Sequence, residues 1–340
     1  MNRRHFLLAT AACASLSTRV FAMSPRFQTR GVVLIPFDLT LADWPEQAAA
    51  AGLNTIGLHA GRRLDVLVRY IRSEQGQEFL AKCSRVGIQV EYELHAMEDL
   101  LSREYFQKDK TLFRMDKNGQ RTPEFNCCPS NPAALAIIAE SVLEFSRALQ
   151  PTTHRYFYWP DDGREWCACD KCRSLSSSEQ ALLVENHILQ TLRKHHDPAA
   201  MVCHLAYVPT LEPPRHVRPE PGIFLEFAPI TRSHERPFVE QTDKTLVDRL
   251  EVLDANLEVF PRDTAQILEY WLDVSRFSGW NRPAKKLPWK RDVFRSDLME
   301  YSRRSIQHVT SFACYIDADY VKLHGEPWPV IQEYGQGFAE

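Results

Sequence analysis

A parallel β/α barrel is the fold class this sequence predicts, and three observations predict it. Short apolar or alternating runs recur eight times along the chain, and helical stretches separate most of them. Strand–helix alternation of that kind argues for a parallel sheet closed by its helices. No glycine-rich phosphate turn follows any run, which argues against the rival, an open doubly wound sheet. The predicted architecture is a single (β/α)8 barrel over residues 23–340, with a long loop after the third strand.

The strands are, in order, GVVLIPF (31–37), LNTIGLH (53–59), IQVEYELH (88–95) and RYFYWP (155–160), then MVCHLAYV (201–208), IFLEFAP (223–229), AQILEYWLD (265–273) and TSFACYID (310–317). Ahead of the fourth strand a helix opens at Ser130-Asn131-Pro132, an N-cap followed by proline at the first helical position. Ahead of the seventh, Leu246, Leu250, Leu253, Leu257 and Phe260 repeat at the three-to-four spacing that only a helix gathers on one face. In the long loop, FRMDKNGQRTP (113–123) reads as a hairpin, with Asn118-Gly119 supplying a positive-φ turn. Its place after the third strand makes it an expected lid or wall over a pocket.

Residues 1–22 stand apart from the fold. Arg3 and Arg4 lead into His5-Phe6-Leu7-Leu8 and a short apolar run that ends at Val20-Phe21-Ala22, the layout of a cleaved export signal. The arginine pair resembles a twin-arginine signal, so the twin-arginine translocase is the expected export partner and the periplasm or extracellular space the destination. Loss of Arg3, Arg4 and Arg19 takes the formal charge from −3 to −6. A mildly acidic chain gives no electrostatic reason to expect nucleic acid as a partner. After residue 22 no apolar run is long enough to span a membrane.

Alternation along the strands sorts side chains onto two faces. Gln89, Glu91, Glu93 and His95 share one face of the third strand, Glu226 opposes Leu225 and Phe227, and His59 opposes Ile56 and Leu58. In the seventh strand Glu269, Trp271 and Asp273 oppose Leu268, Tyr270 and Leu272; in the eighth, Tyr315, Asp317 and Asp319 oppose Phe312, Cys314 and Ile316. If the apolar face meets the helices, the acids point inward, where barrel enzymes place their sites at the C-terminal strand ends. Glu91 and Glu93 also fit a second role, as satisfied core residues.

Asp161 and Asp162 follow the fourth strand directly, and Gly163 after them lets the chain turn close to a ligand. Glycoside hydrolysis commonly uses two carboxylates across the scissile bond. Adjacent residues point apart, so one of the two is expected to pair with an acid from another strand. Asp162 is the candidate general acid, and Glu269, Glu226 and Asp317 are its candidate partners. Tyr207 and Trp271 offer flat faces for a sugar ring, and Arg232 and His234 offer charge for a carboxylate-bearing one. His59, His95, Asp161, Asp273 and Asp319 complete the expected substrate-binding set. A turn with a helix-capping role is the structural alternative for Asp161-Asp162.

Eight cysteines follow residue 22. Cys83, Cys203 and Cys314 read as small buried hydrophobes. Cys167, Cys169 and Cys172 follow C-x-C-x-x-C spacing, which brings three sulfurs within reach of one ion, and a structural zinc wants a fourth ligand. Cys127-Cys128 can supply it, with Cys128 preferred because it abuts the Pro-Ser-Asn-Pro turn. Disulfide pairing is the alternative that export permits.

These segments resemble a bacterial barrel family known as domain of unknown function 4838. REYFQKDKTLFRMDKNGQR, CCPSNP, PDDGREWCACDKC, LAYVPTLEPP, FAPITR and LEYWLDVSRFSGWNRPAKKLPW carry the resemblance, from about residue 31 onward. The family is similar to glycoside hydrolase barrels, with α-glucuronidases among its suggested relatives. The resemblance implies a carbohydrate-active role and marks Asp162, Gly163, Cys128, Cys167, Cys169 and Cys172 as motif positions. The sequence thus predicts a glycoside hydrolase acting on a glycan, with structural zinc and no organic cofactor. The alternatives are a non-catalytic carbohydrate-binding barrel and a metal-dependent hydrolase that uses His59, His95 and the inward acids.

Overall fold

The computed structural model describes residues 26–60, 63–243 and 247–340. All eight predicted strands are present: β1 (Thr29–Leu34), β2 (Thr55–Ala60), β3 (Gln89–His95), β4 (Arg155–Trp159), β5 (Met201–Ala206), β6 (Ile223–Phe227), β7 (Gln266–Glu269) and β8 (His308–Phe312). They close into one parallel barrel in sequence order, with helices between the strands, and β1 pairs β8 to complete the ring. The expected export segment lies outside the described residues. Among the described residues no helix is long and apolar enough to cross a membrane.

Local sequence accounts for the elements around the barrel. The helix Pro132–Ala148 begins as predicted, with the Asn131 side chain accepting the Ala133 amide at 2.9 Å and proline in the first turn. The helix before β7 is shorter than its leucine spacing suggests, running Leu250–Asn256, and Leu246 lies outside the described residues. The hairpin forms with Met115 bridged to Arg121, but only Gly119 takes the positive φ, at 80°. Asn118 instead donates its amide to the Asp116 carboxylate, closing a turn led by the aspartate.

Two apolar layers result. The larger lies between strands and helices; the smaller fills the barrel and includes Val33, Phe157, Leu205, Phe224, Leu268 and Phe312. Parallel register aligns inward residues of neighbouring strands, with His59 opposite Glu93 and His95 opposite Trp159. Glu91, Glu93 and Glu226 share the buried interior with Arg155 and Gln266. A Cβ on Gly57 would sit 2.6 Å from the Glu93 carboxyl, so only glycine leaves room for it. Burial, with Glu226 and Glu91 nearby, drives the Glu93 carboxyl well above its ordinary range.

The faces of the last two strands differ from expectation. Leu268 and Tyr270 point inward, as do Phe312 and Cys314, while Glu269 and Trp271 face the helices. The premise that acids mark the inner face fails because Glu269 is neutralised from outside the barrel. Arg232, in the loop after β6, donates to Glu269 at 2.9 Å and is also bonded to Asp297, and Tyr301 donates to Glu269 as well. Asp297 and Tyr301 lie on the helix Arg291–Arg303, which packs over this face. A buried acid is tolerated where a guanidinium and hydroxyl complete it.

Candidate active site

At the C-terminal end of the barrel the strands open into a cavity of about 260 Å³. His59, His95 and Trp159 form one side, and Tyr207, Tyr270, Phe312 and Tyr315 carry the aromatic lining around it. Trp280 stands at the mouth, 64% exposed and with φ of 57°, a left-handed conformation unusual for so large a residue. Two carboxylates, Asp162 and Asp273, line the same space. The volume falls just below the range of about 300–1,000 Å³ usual for small-molecule sites. A second cleft of about 390 Å³ shares the Asp162 wall and is bounded by Glu98, Arg103, Phe125 and Arg164.

The histidines and Trp159 form one packed unit. His59 lies 5.5 Å and His95 5.0 Å from the indole, centroid to centroid. Each imidazole donates its Nδ1 hydrogen to a backbone carbonyl, His59 to Glu93 at 2.9 Å and His95 to Pro160 at 2.7 Å. Burial, reinforced by His95, lowers His59 to about 3, so it is neutral and its Nε2 is an acceptor. His95 Nε2 lies 3.8 Å from Asp162. Below this floor the Glu226 carboxyl accepts the Trp159 indole N–H at 2.8 Å and a Gln266 amide at 2.9 Å. Glu226 is thus inward as expected, but beneath the cavity; burial raises it to about 7 despite those bonds.

The two cavity carboxylates occupy unequal environments. Asp162 keeps 56% of its side chain exposed and accepts the Tyr207 hydroxyl at 3.1 Å. Asp273 is 5% exposed and caps the helix Val274–Phe277, its Oδ1 accepting the Ser275 and Arg276 amides and the Ser275 hydroxyl. Burial outweighs these bonds and raises Asp273 to about 6.

The remaining expected site residues lie outside the first cavity, with Asp161 on the wall of the second cleft. Asp161 is clasped by Arg103 and by the Asn126 and Glu98 amides. Glu269 and Arg232 belong to the buried cluster behind β7, where His234 Nδ1 lies 3.9 Å from Glu269. Trp271 donates its indole N–H to Asp297 at 2.9 Å in the same layer. Asp317 is buried, capping the helix Ala318–His324 and pairing with Arg282 at 2.7 Å, and Asp319 pairs with Lys322 on the surface. The loops rather than the strand faces brought Asp162 and Asp273 together. Tyr270, Tyr315 and Trp280 were not anticipated as site residues. Tyr270 was set on the wrong face, Tyr315 takes φ of 70° after β8, and Trp280 sits in an irregular loop.

The cysteine cluster stands beside this site. Cys128, Cys167, Cys169 and Cys172 are buried, and their sulfurs all lie within 4.8 Å of one another. Cys128 Sγ is 3.8 Å from Cys169 Sγ and 3.9 Å from Cys172 Sγ. A disulfide needs about 2.05 Å, whereas metal–sulfur bonds of about 2.3 Å give a tetrahedron with edges near 3.8 Å. The donor set therefore fits one tetrahedral thiophilic ion. Polar hydrogens complete the sulfurs: the Met115 amide meets Cys167 at 3.3 Å and the Ser130 hydroxyl lies 3.0 Å from Cys172. The predicted hairpin packs here rather than over the cavity, with the Ala168 amide donating to the Met115 carbonyl at 2.8 Å. Cys127 turns the other way into the core, as Cys83 does, while Cys203 and Cys314 lie inside the barrel. Among the described residues these four cysteines are the grouping whose ligand atoms converge; His59, His95 and the acids do not form a second one.

Solved structures share this fold. The chain aligns with Gan42B, a GH42 β-galactosidase from G. stearothermophilus, at 11% identity and a TM-score of 0.58 over 92% of this chain and 57% of that one. It aligns with a GH5-4 broad specificity endoglucanase from an uncultured bacterium at 9% identity and a TM-score of 0.50, over 87% and 85%. An exo-β-1,4-mannosidase from Opitutaceae bacterium strain TAV5 is similar at 13% identity and a TM-score of 0.47, over 92% and 60%. The chain thus spans about three-fifths of the length of the mannosidase and the β-galactosidase. No curated protein matches its sequence. Residues 22–260, including the cysteine segment and the Asp162 loop, match one family throughout, and the chain belongs to it: the domain of unknown function DUF4838.

Proposed function

We propose that this protein is a glycoside hydrolase whose reaction centre is the aromatic cavity, with Asp273 as the proton donor and Asp162 as the second carboxylate. The observation that carries the reading is the pair of cavity carboxylates in unequal environments. Such pairs divide acid and base duties, the buried member being the one whose proton is held more tightly. With Oδ1 of Asp273 fully engaged, Oδ2 is the oxygen that would deliver the proton to a departing glycosidic oxygen. Trp280 and Tyr315 offer apolar faces to a sugar ring, His59 Nε2 offers an acceptor to a hydroxyl, and the cleft beyond Asp162 has room for the rest of the glycan.

A zinc ion in the cysteine cluster belongs to the same reading. With four protein ligands the site leaves no position open for chemistry, so its role is structural. Export of a folded, metallated chain by the twin-arginine route would bring the thiolates out already protected by the metal.

Product release from a broad oligosaccharide panel, including uronic-acid-bearing glycans, tests the reaction. Wild-type cleavage that disappears in both Asp162→Asn and Asp273→Asn supports the assignment, and cleavage that survives either change removes that residue from it. A non-catalytic carbohydrate-binding barrel is the second reading, favoured by the use of Asp273 as a helix cap. Saturable glycan binding without cleavage anywhere on the panel would select it.

A further inference from the structure

We propose that Asn126 is a positioning residue that couples the metal centre to Asp162, so that metal occupancy sets the geometry of the cavity's exposed carboxylate. The inference rests on the metal reading of the cysteine cluster. Asn126 is fully buried, with φ of 45°, in the segment that leads to Cys128. Its side chain grips the Asp162 loop from both sides. The amide oxygen accepts the Asp161 backbone N–H at 2.9 Å, and the amide nitrogen donates to the carbonyls of Arg164 at 3.2 Å and Glu165 at 3.0 Å. Its own backbone amide donates to the Asp161 carboxylate, while Arg103 joins that carboxylate to the Asn126 carbonyl, at 3.1 Å from the latter.

Asp162 and Gly163 are thereby bracketed by one side chain. On the cavity side Asp162, which is half-exposed, takes the Tyr207 hydroxyl at 3.1 Å, and Gly163 takes φ of 63° with open space around it. Both ends of the clasp then run into the cluster, since Asn126 lies two residues before the ligand Cys128 and Glu165 two residues before Cys167. A metal that ties Cys128 to Cys167, Cys169 and Cys172 therefore closes a loop around Asn126 and Asp161. Without it, the two strands of that loop are joined by those hydrogen bonds and by the Arg164 guanidinium over the Phe125 ring, 4.6 Å from its centroid. From the far side, Gln180 of the helix Ser177–His195 accepts the Cys167 amide at 3.0 Å and donates to the Cys167 and Cys172 carbonyls, anchoring the cluster to the barrel. The chain of contacts from the helix to the carboxylate is continuous, and every link is a directional bond.

Hydrogen exchange measured by mass spectrometry on the full, metal-loaded chain tests this without any substrate. Elemental analysis first reports the metal; its absence, with thiols paired as disulfides, would overturn the coupling, whatever the protein does to glycans. Removing the metal by chelation should raise exchange at residues 124–128 and 160–166 at least tenfold while leaving β8 protected. Asn126→Gly, which tolerates the left-handed backbone, should keep the metal and still loosen 160–166. Its His95 imidazole resonance should also move toward that of Asp162→Asn, because His95 Nε2 lies 3.8 Å from the displaced carboxylate. Asn126→Asp, which retains the acceptor for the Asp161 amide, should loosen the loop less. Wild-type exchange at 160–166 in Asn126→Gly, or after metal removal, would overturn the proposal.

Discussion

Two influences on Asp273 compete over its charge. As a helix cap it accepts three hydrogen bonds, which favour the carboxylate, yet burial holds it at about 6 against an ordinary 3.8. The folded chain therefore binds this proton more tightly than the unfolded chain does. The resulting stabilisation is complete below the unfolded value and is lost as pH rises through about 6. Relative to Asp273→Asn, which keeps a capping side chain, the wild type should lose about 3 kcal/mol between roughly pH 4 and pH 7, seen as converging or crossing denaturation curves. Asp162 caps no helix and is half-exposed. Asp162→Asn should abolish turnover on any glycan the wild type cleaves and leave the melting temperature within about 2 °C. Trp280 exposes its ring at the cavity mouth, and Trp280→Ala should weaken glycan binding about tenfold, or ~1.4 kcal/mol by titration, with the fold unchanged.

At the scale of elements, β7 shows how far alternation reaches. A period of two separates Leu268 and Tyr270 from Glu269 and Trp271 without saying which set faces inward. That choice was made by partners distant in the chain. Arg232 and Tyr301 complete Glu269, and Asp297 accepts the Trp271 indole, so the polar set could face the helices. The same pattern on β3 resolves the other way, because Gly57 on β2 opens a notch for Glu93 inside the barrel. Arg232→Met should therefore cost about 3–5 kcal/mol in denaturant unfolding, since it strands Glu269 and Asp297 together in an apolar layer. Turnover per folded molecule should be retained, because neither acid lines the cavity. Loss of activity without loss of stability would return Glu269 to the reaction.

For the whole molecule, the cysteine cluster brings the loop after β3 against the loop after β4, neighbouring parts of the barrel rim. Cys169→Ser should lower bound metal to near zero and the melting temperature by roughly 10 °C, followed by elemental analysis and thermal unfolding. Ordinary stability in the metal-free variant would remove the structural role. The order of strands, their parallel pairing and the closure of the ring were legible from strand–helix alternation. Cys128, Cys167, Cys169 and Cys172 were legible because short spacing already confines three sulfurs to one neighbourhood.

What the sequence by itself determined is therefore the barrel, the four-cysteine cluster and the placement of Asp162, His59, His95, Tyr207 and Asp273 at one end. Each depends on short-range spacing or on position at a strand end, which the covalent chain imposes directly. Only the tertiary structure decided which acids line the cavity. Glu269, Glu226, Asp317 and Asp273 look alike as carboxylates beside strands, and they are distinguished by an arginine, an indole N–H, a helix N-terminus and an open cavity. Those neighbours arrive from tens to hundreds of residues away, and the cost of burying a charge lets only the completed fold assign each acid its role.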